Sequence, residues 1–521
     1  MAGLGALVAL MATPAGNDAA AHLYETGLWS AHGWRFWDNF WYAGRYSQIN
    51  YSLLYYPLAA LCGTVTVVAG SVAVAAGAFC QLMRGRWPAL ATGPALAFSL
   101  LAPLAVLAGA YPFLLGLALA LAALAALQAG RTRIAVLLVA ATAAAHPLAL
   151  VFLLCVLIAL AGSRRGWWRR AREVRFALAA TLIVAVAALG VRAFGGADGR
   201  YPFDRRDALA IAVFCASGLW LTRGLADQRV LRALFITYAI VSAAAFALAS
   251  PLGGNLVRLT TLAGAPLLLL PVTARGFRPR ALTAVLLAAA LCWQALPALA
   301  HLNRSADARA ADERFWYPVE AFLDRHRDPN YRVEVVATYG HWEALYLARR
   351  GVALARGWYR QDDFPENAAL YRPLTARGYD AWLRRLAVHY VLLPDDPLDP
   401  SAEAEAARVR AGTGLDLVAR LAGWRIYALP HPTPIATPAR EIRVVAVSAE
   451  RIALRVRQPR RYELRLRYTP YWEVSGPACA APGRPWGTDL RVARSGLVIL
   501  RFAPEFGSML GALLGRQPGC S

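Results

Sequence analysis

The chain has 521 residues, 58% of them hydrophobic, and a mean hydropathy of +0.40. Several apolar runs approach twenty residues, which places it among polytopic membrane proteins. Its formal charge is +23 and every basic side chain is an arginine. A nucleic-acid binder is excluded, because no basic run is interleaved with a recognisable nucleic-acid fold. The all-arginine usage is read as coding bias and given no functional weight.

Residues 1–14 are apolar but short for a crossing, reaching roughly 21 Å against a hydrocarbon core of about 30 Å. They lack the basic start of a signal peptide and are read as a first membrane helix from a gene start placed late. A polar and aromatic stretch follows at 15–52. Asp18, His22 and Glu25 stand at i, i+4 and i+7, so a helix puts them on one face. Behind them come Trp34, Phe36, Trp37, Phe40, Trp41 and Tyr42, then Gly44-Arg45-Tyr46.

Apolar runs are expected as spans at about 53–83, 88–109 and 111–129. The run 134–162 is too long for one ordinary span, and His146-Pro147 divides it into two short helices, proline being favourable at a helix start. Further spans are expected at about 176–195, 207–222, 230–249, 255–273 and 281–300. With about eleven membrane segments, Arg84/Arg86, Arg131/Arg133, Arg164–Arg175, Arg223/Arg229 and Arg275–Arg280 share one side, the cytoplasm by the positive-inside rule. The first loop, His146, the 196–206 loop with Asp198, Asp204 and Asp207 as solvated charges, the turn near Asn255 and everything after 301 then lie outside.

From 301 the composition becomes that of a soluble mixed region. VEVVATYG (Val333 to Gly340) reads as a buried strand followed by the helix HWEALYLARR; YDAWLRRLAVHYVLLPDD reads as helix then strand, and GLDLVARLAGWRIYALP as two short strands. From about 434 the pattern has period two, in EIRVVAVS, RIALRVRQ, YELRLRYT and DLRVARSGLVILRF, as in a small antiparallel sheet or sandwich. The expected architecture is therefore a membrane domain at 1–300, an exported α/β domain at 301–433 and an exported β-sheet or sandwich domain at 434–521. Five cysteines lie in apolar runs; Cys479 and Cys520 lie in the exported part, where pairing and freedom are equally open.

Chemistry is expected in the first loop. Asp18 follows the first span at headgroup depth, where a carboxylate among aromatics can serve as a general base, with His22 and Glu25 orienting it or binding an acceptor. Asp18 also suits the plain role of helix N-cap. A divalent metal on Asp18, His22 and Glu25 is permitted by the spacing but weakly indicated, and no cofactor is expected. Arg258, near the outer end of its span, is a functional candidate because burying an ion there is costly; phosphate is its natural ligand, and snorkelling is the bland account. Arg45 is a second phosphate candidate. Trp41, Tyr42 and Tyr46 suit a sugar platform or an interfacial belt, and His146 can line the same cavity or merely occupy a turn.

These residues carry a resemblance. An exported first loop with an aspartate soon after the first span resembles the GT-C-type membrane glycosyltransferases. N-D-x-x-x-H-L, then W-x-x-x-W-Y-x-G-x-Y, with YPFLLG (Tyr111 to Gly116), AHPLAL (Ala145 to Leu150) and LVRLTTLAGAP (Leu256 to Pro266), is similar to the 6-pyruvoyl-tetrahydropterin-synthase-related membrane proteins. The resemblance covers about residues 10–300. It implies Asp18 as catalytic base, a polyprenyl-phosphate sugar donor with Arg258 at its phosphate, an exported glycan or lipid acceptor, and a bacterial plasma membrane; the loop charges above put the N-terminus in the cytoplasm. A paired acidic motif in a later outer loop is lacking, which speaks against a metal-dependent oligosaccharyl transfer. The rival readings are a transporter or flippase for a lipid-linked glycan, and a non-catalytic scaffold whose exported part binds glycan.

Overall fold

A computed structural model describes residues 1–163, 171–194, 199–363, 366–412, 414–483, 486–516 and 520. The basic segment Arg164–Arg170 and Asp198, both singled out in the sequence, lie outside the described residues. The chain divides into two compact units. The first comprises Met1–His22, Tyr51–Ala188 and Arg200–Asn303; the second comprises Leu23–Asn50, Leu189–Gly199 and Arg304–Ser521.

The first unit is helical. Its elements are α1 (Ala2–Ala12), the start of α2 (Ala19–His32), α3 (Tyr55–Cys62), α4 (Thr64–Arg86), α5 (Thr92–Leu101), α6 (Tyr111–Gln128), α7 (Thr132–Ala145), α8 (Pro147–Ser163), most of α9 (Ala171–Ala193), α10 (Arg205–Leu221), α11 (Arg229–Ala247), α12 (Arg258–Ala274) and most of α13 (Arg280–Ser305). Among the described residues six helices are long and apolar enough to cross a membrane: Thr64–Arg86, Tyr111–Gln128, Ala171–Ala193, Ala226–Ala247, Gly253–Ala274 and Arg280–Ser305. On α9, Leu178, Leu182 and Val186 form an exposed stripe at i, i+4 and i+8. An apolar stripe of that kind is stable against lipid and costly against water.

The run expected as one span at 53–83 is two helices, because Gly63 takes φ +83° between α3 and α4, a conformation that suits glycine. The expected break at His146-Pro147 is present between α7 and α8. Helix α4 packs on α6, α6 on α7, α8 on α11, and α12 on α5 and α10. Ala120, Ala123, Ala135 and Val139 lie in the buried core with Leu124, Leu150, Leu153 and Phe176; small residues at such contacts let helix backbones approach closely.

The second unit is mixed. Its first sheet has the order β3-β4-β6-β5 (Arg332–Val335, Val388–Pro394, Trp424–Ala428 and Asp416–Leu421), with β3 and β4 parallel and the other pairs antiparallel. The connecting helices are α14 (Tyr317–His326), α15 (Glu343–Arg349), α16 (Ala376–Arg385) and α17 (Glu403–Arg410). VEVVATYG thus contributes strand only to Val335, and the helix after it begins at Glu343.

Two four-stranded antiparallel sheets follow, β12-β13-β10-β7 and β11-β14-β9-β8. Their strands are β7 (Ala436–Thr437), β8 (Ile442–Ser448), β9 (Arg451–Val456), β10 (Arg460–Leu464), β11 (Trp472–Val474), β12 (Ala478–Pro482), β13 (Thr488–Val492) and β14 (Gly496–Phe502), before a last helix α18 (Phe506–Leu513). The period-two pattern explains them. Ile452, Leu454 and Val456 alternate inward on β9, and Val498, Leu500 and Phe502 on β14, into one core shared with Tyr462 and Leu490 of the other sheet. A disulfide joins Cys479 on β12 to Cys520. The aromatic loop adds a two-stranded ribbon, β1 (Trp37–Asp38) with β2 (Arg45–Tyr46), and Trp37 enters that same core.

Candidate functional site

In the first unit the Asn17-Asp18 turn is fixed from several directions. The Asp18 N–H donates to the Ala108 carbonyl at 3.1 Å, and Gly109 lies so close that a Cβ there would meet the Asp18 and Ala19 nitrogens at 2.7 Å. His301 of α13 holds the preceding residues through Asn17 Oδ1 (2.9 Å) and the Pro14 carbonyl (3.2 Å). Asp18 is buried, and its Oδ2 accepts from Arg258 Nη2 at 2.9 Å. A first-loop carboxylate is therefore paired with a guanidinium 240 positions later in the chain.

His22, one turn along α2, is boxed by the rings of Tyr51 (5.1 Å), Tyr55 (6.1 Å), Tyr56 (6.2 Å) and Tyr111 (6.1 Å). Tyr56 Oη lies 3.4 Å from its Nδ1. Burial above all, with His146 and Arg258 adding to it, holds the His22 imidazole well below its ordinary pKa, so it is neutral. Tyr51 also packs edge-on against His146 at 5.1 Å. Phe113 ties the group together, with His146 at 5.6 Å on one side and the Arg258 guanidinium 5.6 Å from its ring centre. Asp18, His22, His146 and Arg258 thus come together in one unit. Tyr51, Tyr55, Tyr56, Tyr111 and Phe113 complete the group; the tyrosine-rich YSLLYYP and YPFLLG stretches were their signal in the sequence.

The remaining expected site residues gather in the second unit. Glu25 is fully buried; its Oε1 accepts from Arg45 Nη1 (3.1 Å) and its Oε2 from the Ser47 hydroxyl (2.7 Å). Arg45 also faces Asp362 at 3.3 Å and stacks over Tyr359 and Trp41, at 4.4 and 5.1 Å. Trp41 donates to the Ala344 carbonyl, Tyr42 to the Tyr359 carbonyl, and Tyr46 meets the Thr469 hydroxyl at 2.8 Å. Trp41 is 0% exposed, so it offers a sugar no surface in this structure; these contacts organise the loop. Beside them Asp38 is pushed up to about 7, chiefly by burial, the Phe40 N–H opposing and Glu25 adding to the rise.

Sequence reasoning missed a second charged cluster at the carboxyl ends of β3 and β4. His341 Nδ1 lies 3.1 Å from Glu343 Oε1, and its Nε2 lies 3.5 Å from Asp399 Oδ2. Burial works against its charge, but hydrogen bonds to Asp399 and Glu343 outweigh it and lift the imidazole to about 10. Arg356 bridges Glu334 and Glu405 behind it, at 2.5 and 2.7 Å. Among the described residues no group of three or more His, Cys, Asp or Glu side chains is arranged to hold a metal ion.

No family model and no curated protein sequence matches the chain. Among solved structures, the cryo-EM structure of the arabinofuranosyltransferase AftD from Mycobacteria aligns with 82% of this chain at a TM-score of 0.48 and 14% identity. The chain spans about two fifths of that protein, 39% of its length. A likeness of that order assigns neither a fold nor an activity.

Proposed function

We propose that the chain is a GT-C-type membrane glycosyltransferase that moves a sugar from a polyprenyl-phosphate donor to an exported cell-envelope acceptor, a glycan or a lipid. The carrying observation is the Asp18–Arg258 pair, which puts a carboxylate and a phosphate-binding side chain 2.9 Å apart in the unit that also holds His22 and His146. In this reading the acceptor hydroxyl attacks the anomeric carbon of the donor. The bond from that carbon to the phosphate oxygen breaks, polyprenyl phosphate leaves with the electron pair, and Asp18 takes the hydroxyl proton. Arg258 holds the phosphate, for which a guanidinium is well shaped. His22, being neutral, orients rather than donates a proton. The scheme needs no cofactor. The protein then sits in a bacterial plasma membrane with about eleven segments, its N-terminus cytoplasmic and residues after 301 outside.

The test is Asp18→Asn, followed by transfer of labelled sugar from polyprenyl-phosphate donors in membranes, with donor binding measured in parallel. Transfer lost with binding retained supports Asp18 as base; undiminished transfer overturns that role. A wild-type protein that moves intact lipid-linked glycan across vesicles without transferring sugar makes the transporter reading the better one.

A further inference from the structure

His146 is 6% exposed, and its two ring nitrogens have different fates. Nδ1 accepts the backbone N–H of Leu148 at 3.1 Å. That contact caps α8, whose first residue, Pro147, has no N–H of its own to satisfy. A nitrogen accepting a hydrogen bond carries its lone pair there, so the ring is neutral and its proton resides on Nε2. Nε2 is buried and has no hydrogen-bond partner among the described residues. A buried donor without a partner is costly unless something accepts from it. Gly116 lets the ring sit where it does, since a Cβ on that residue would meet the His146 Cβ at 3.0 Å and the Ala149 Cβ at 2.7 Å. The Phe113 ring centre lies 5.6 Å from both the His146 ring and the Arg258 guanidinium.

We propose that His146 is a positioning residue whose Nε2–H donates to a phosphoryl oxygen held by Arg258, its tautomer fixed by the Leu148 N–H. This rests on the reading of Arg258 as the phosphate ligand and adds a second, uncharged donor to it. An uncharged donor beside one guanidinium suits a phosphate ester without adding charge to be neutralised when the site is empty. The sequence offered His146 only as a cavity lining or a turn residue; the cap explains its Nδ1 and leaves Nε2 to be explained.

The two nitrogens can be separated by substitution. The side-chain oxygen of Asn reproduces Nδ1 and keeps the cap, whereas the amide nitrogen of Gln reaches the place of Nε2. Full-length protein in nanodiscs is titrated with inorganic phosphate and with a short-chain polyprenyl monophosphate, binding being followed by phosphorus NMR and folding by thermal melting. His146→Asn should weaken phosphate binding about ten- to a hundredfold with melting unchanged. His146→Gln should keep most of the binding and melt lower. Binding of both probes identifies the phosphate group as sufficient, and binding of the lipid alone identifies a headgroup site; either supports the inference. Asn binding like wild type, Asn and Gln failing alike, or a wild type that binds neither probe overturns it. Failure of the base assignment is read separately: sugar transfer undiminished in Asp18→Asn with His146-dependent phosphate binding intact removes the base and leaves this inference standing.

Discussion

Two histidines, one buried in the first unit and one partly buried in the second, show how neighbours decide the charge of an imidazole. His146 receives a backbone N–H on one nitrogen, which spends its lone pair and keeps the ring neutral. His341 lies between the carboxylates of Glu343 and Asp399 and holds its proton to about pH 10. Burial alone would have made both neutral. The neutral ring is left with a donor to offer, whereas the charged ring has both nitrogens facing acids within its own unit. The first arrangement suits binding and the second suits holding a β-to-α turn in place.

The sharpest way to break this comparison is to remove the His341 charge. His341→Leu leaves Asp399 and Glu343 without their counter-ion, and should destabilise the second unit by roughly 3–5 kcal/mol. Thermal unfolding followed by tryptophan fluorescence reads the effect, and a variant as stable as wild type would make the carboxylate pair irrelevant to the fold. Next in size is the alkaline titration. Folded His341 holds its proton more tightly than the unfolded chain does, so its contribution is complete below about pH 6.5 and is lost as pH rises towards about 10. At about 1.4 kcal/mol per unit, that loss approaches roughly 5 kcal/mol, and denaturant unfolding across the range should show it in wild type and not in His341→Leu.

A smaller effect belongs to Asp38. Its carboxyl is raised to about 7, so the folded state binds the extra proton and stability falls as pH rises from about 3.8 to 7. Asp38→Asn should flatten that slope; a slope unchanged would assign it to another group. Smallest is Gly116→Ala, whose new Cβ would meet the Ala149 Cβ at 2.7 Å and the His146 Cβ at 3.0 Å, so that the neighbouring helix start must shift. It should cost about 1 kcal/mol in stability and measurably weaken phosphate binding, and an unchanged phosphate affinity would separate ring position from function.

Much of this was legible in local sequence. Pro147 after His146 marked the break between two helices, because proline fits a first turn and disrupts an interior. The alternation in RIALRVRQ and GLVILRF placed Ile452, Leu454, Val498 and Leu500 on one buried face. Asp18 and Arg258 each stood out alone, but no spacing rule reports a contact across 240 residues. Glu25 shared the helical face of Asp18, and periodicity could not reveal that Arg45 and Ser47 would claim it. The His341 cluster was illegible for the same reason, since Glu343 is adjacent but Asp399 arrives from after the next parallel strand. The available hint was a His-x-Glu at the carboxyl end of a strand, where open α/β sheets tend to place polar groups.

The disulfide between Cys479 and Cys520 has a practical consequence for anyone mapping this molecule with proteases. A cut after Arg491, Arg494 or Arg516 severs the backbone within the 41-residue loop it closes, yet both pieces stay joined and migrate as one band until a reductant is added. A digest resolved only on reducing gels would therefore report as fragmented a domain that is still held together, and paired reducing and non-reducing lanes would tell a nicked sheet from a lost one.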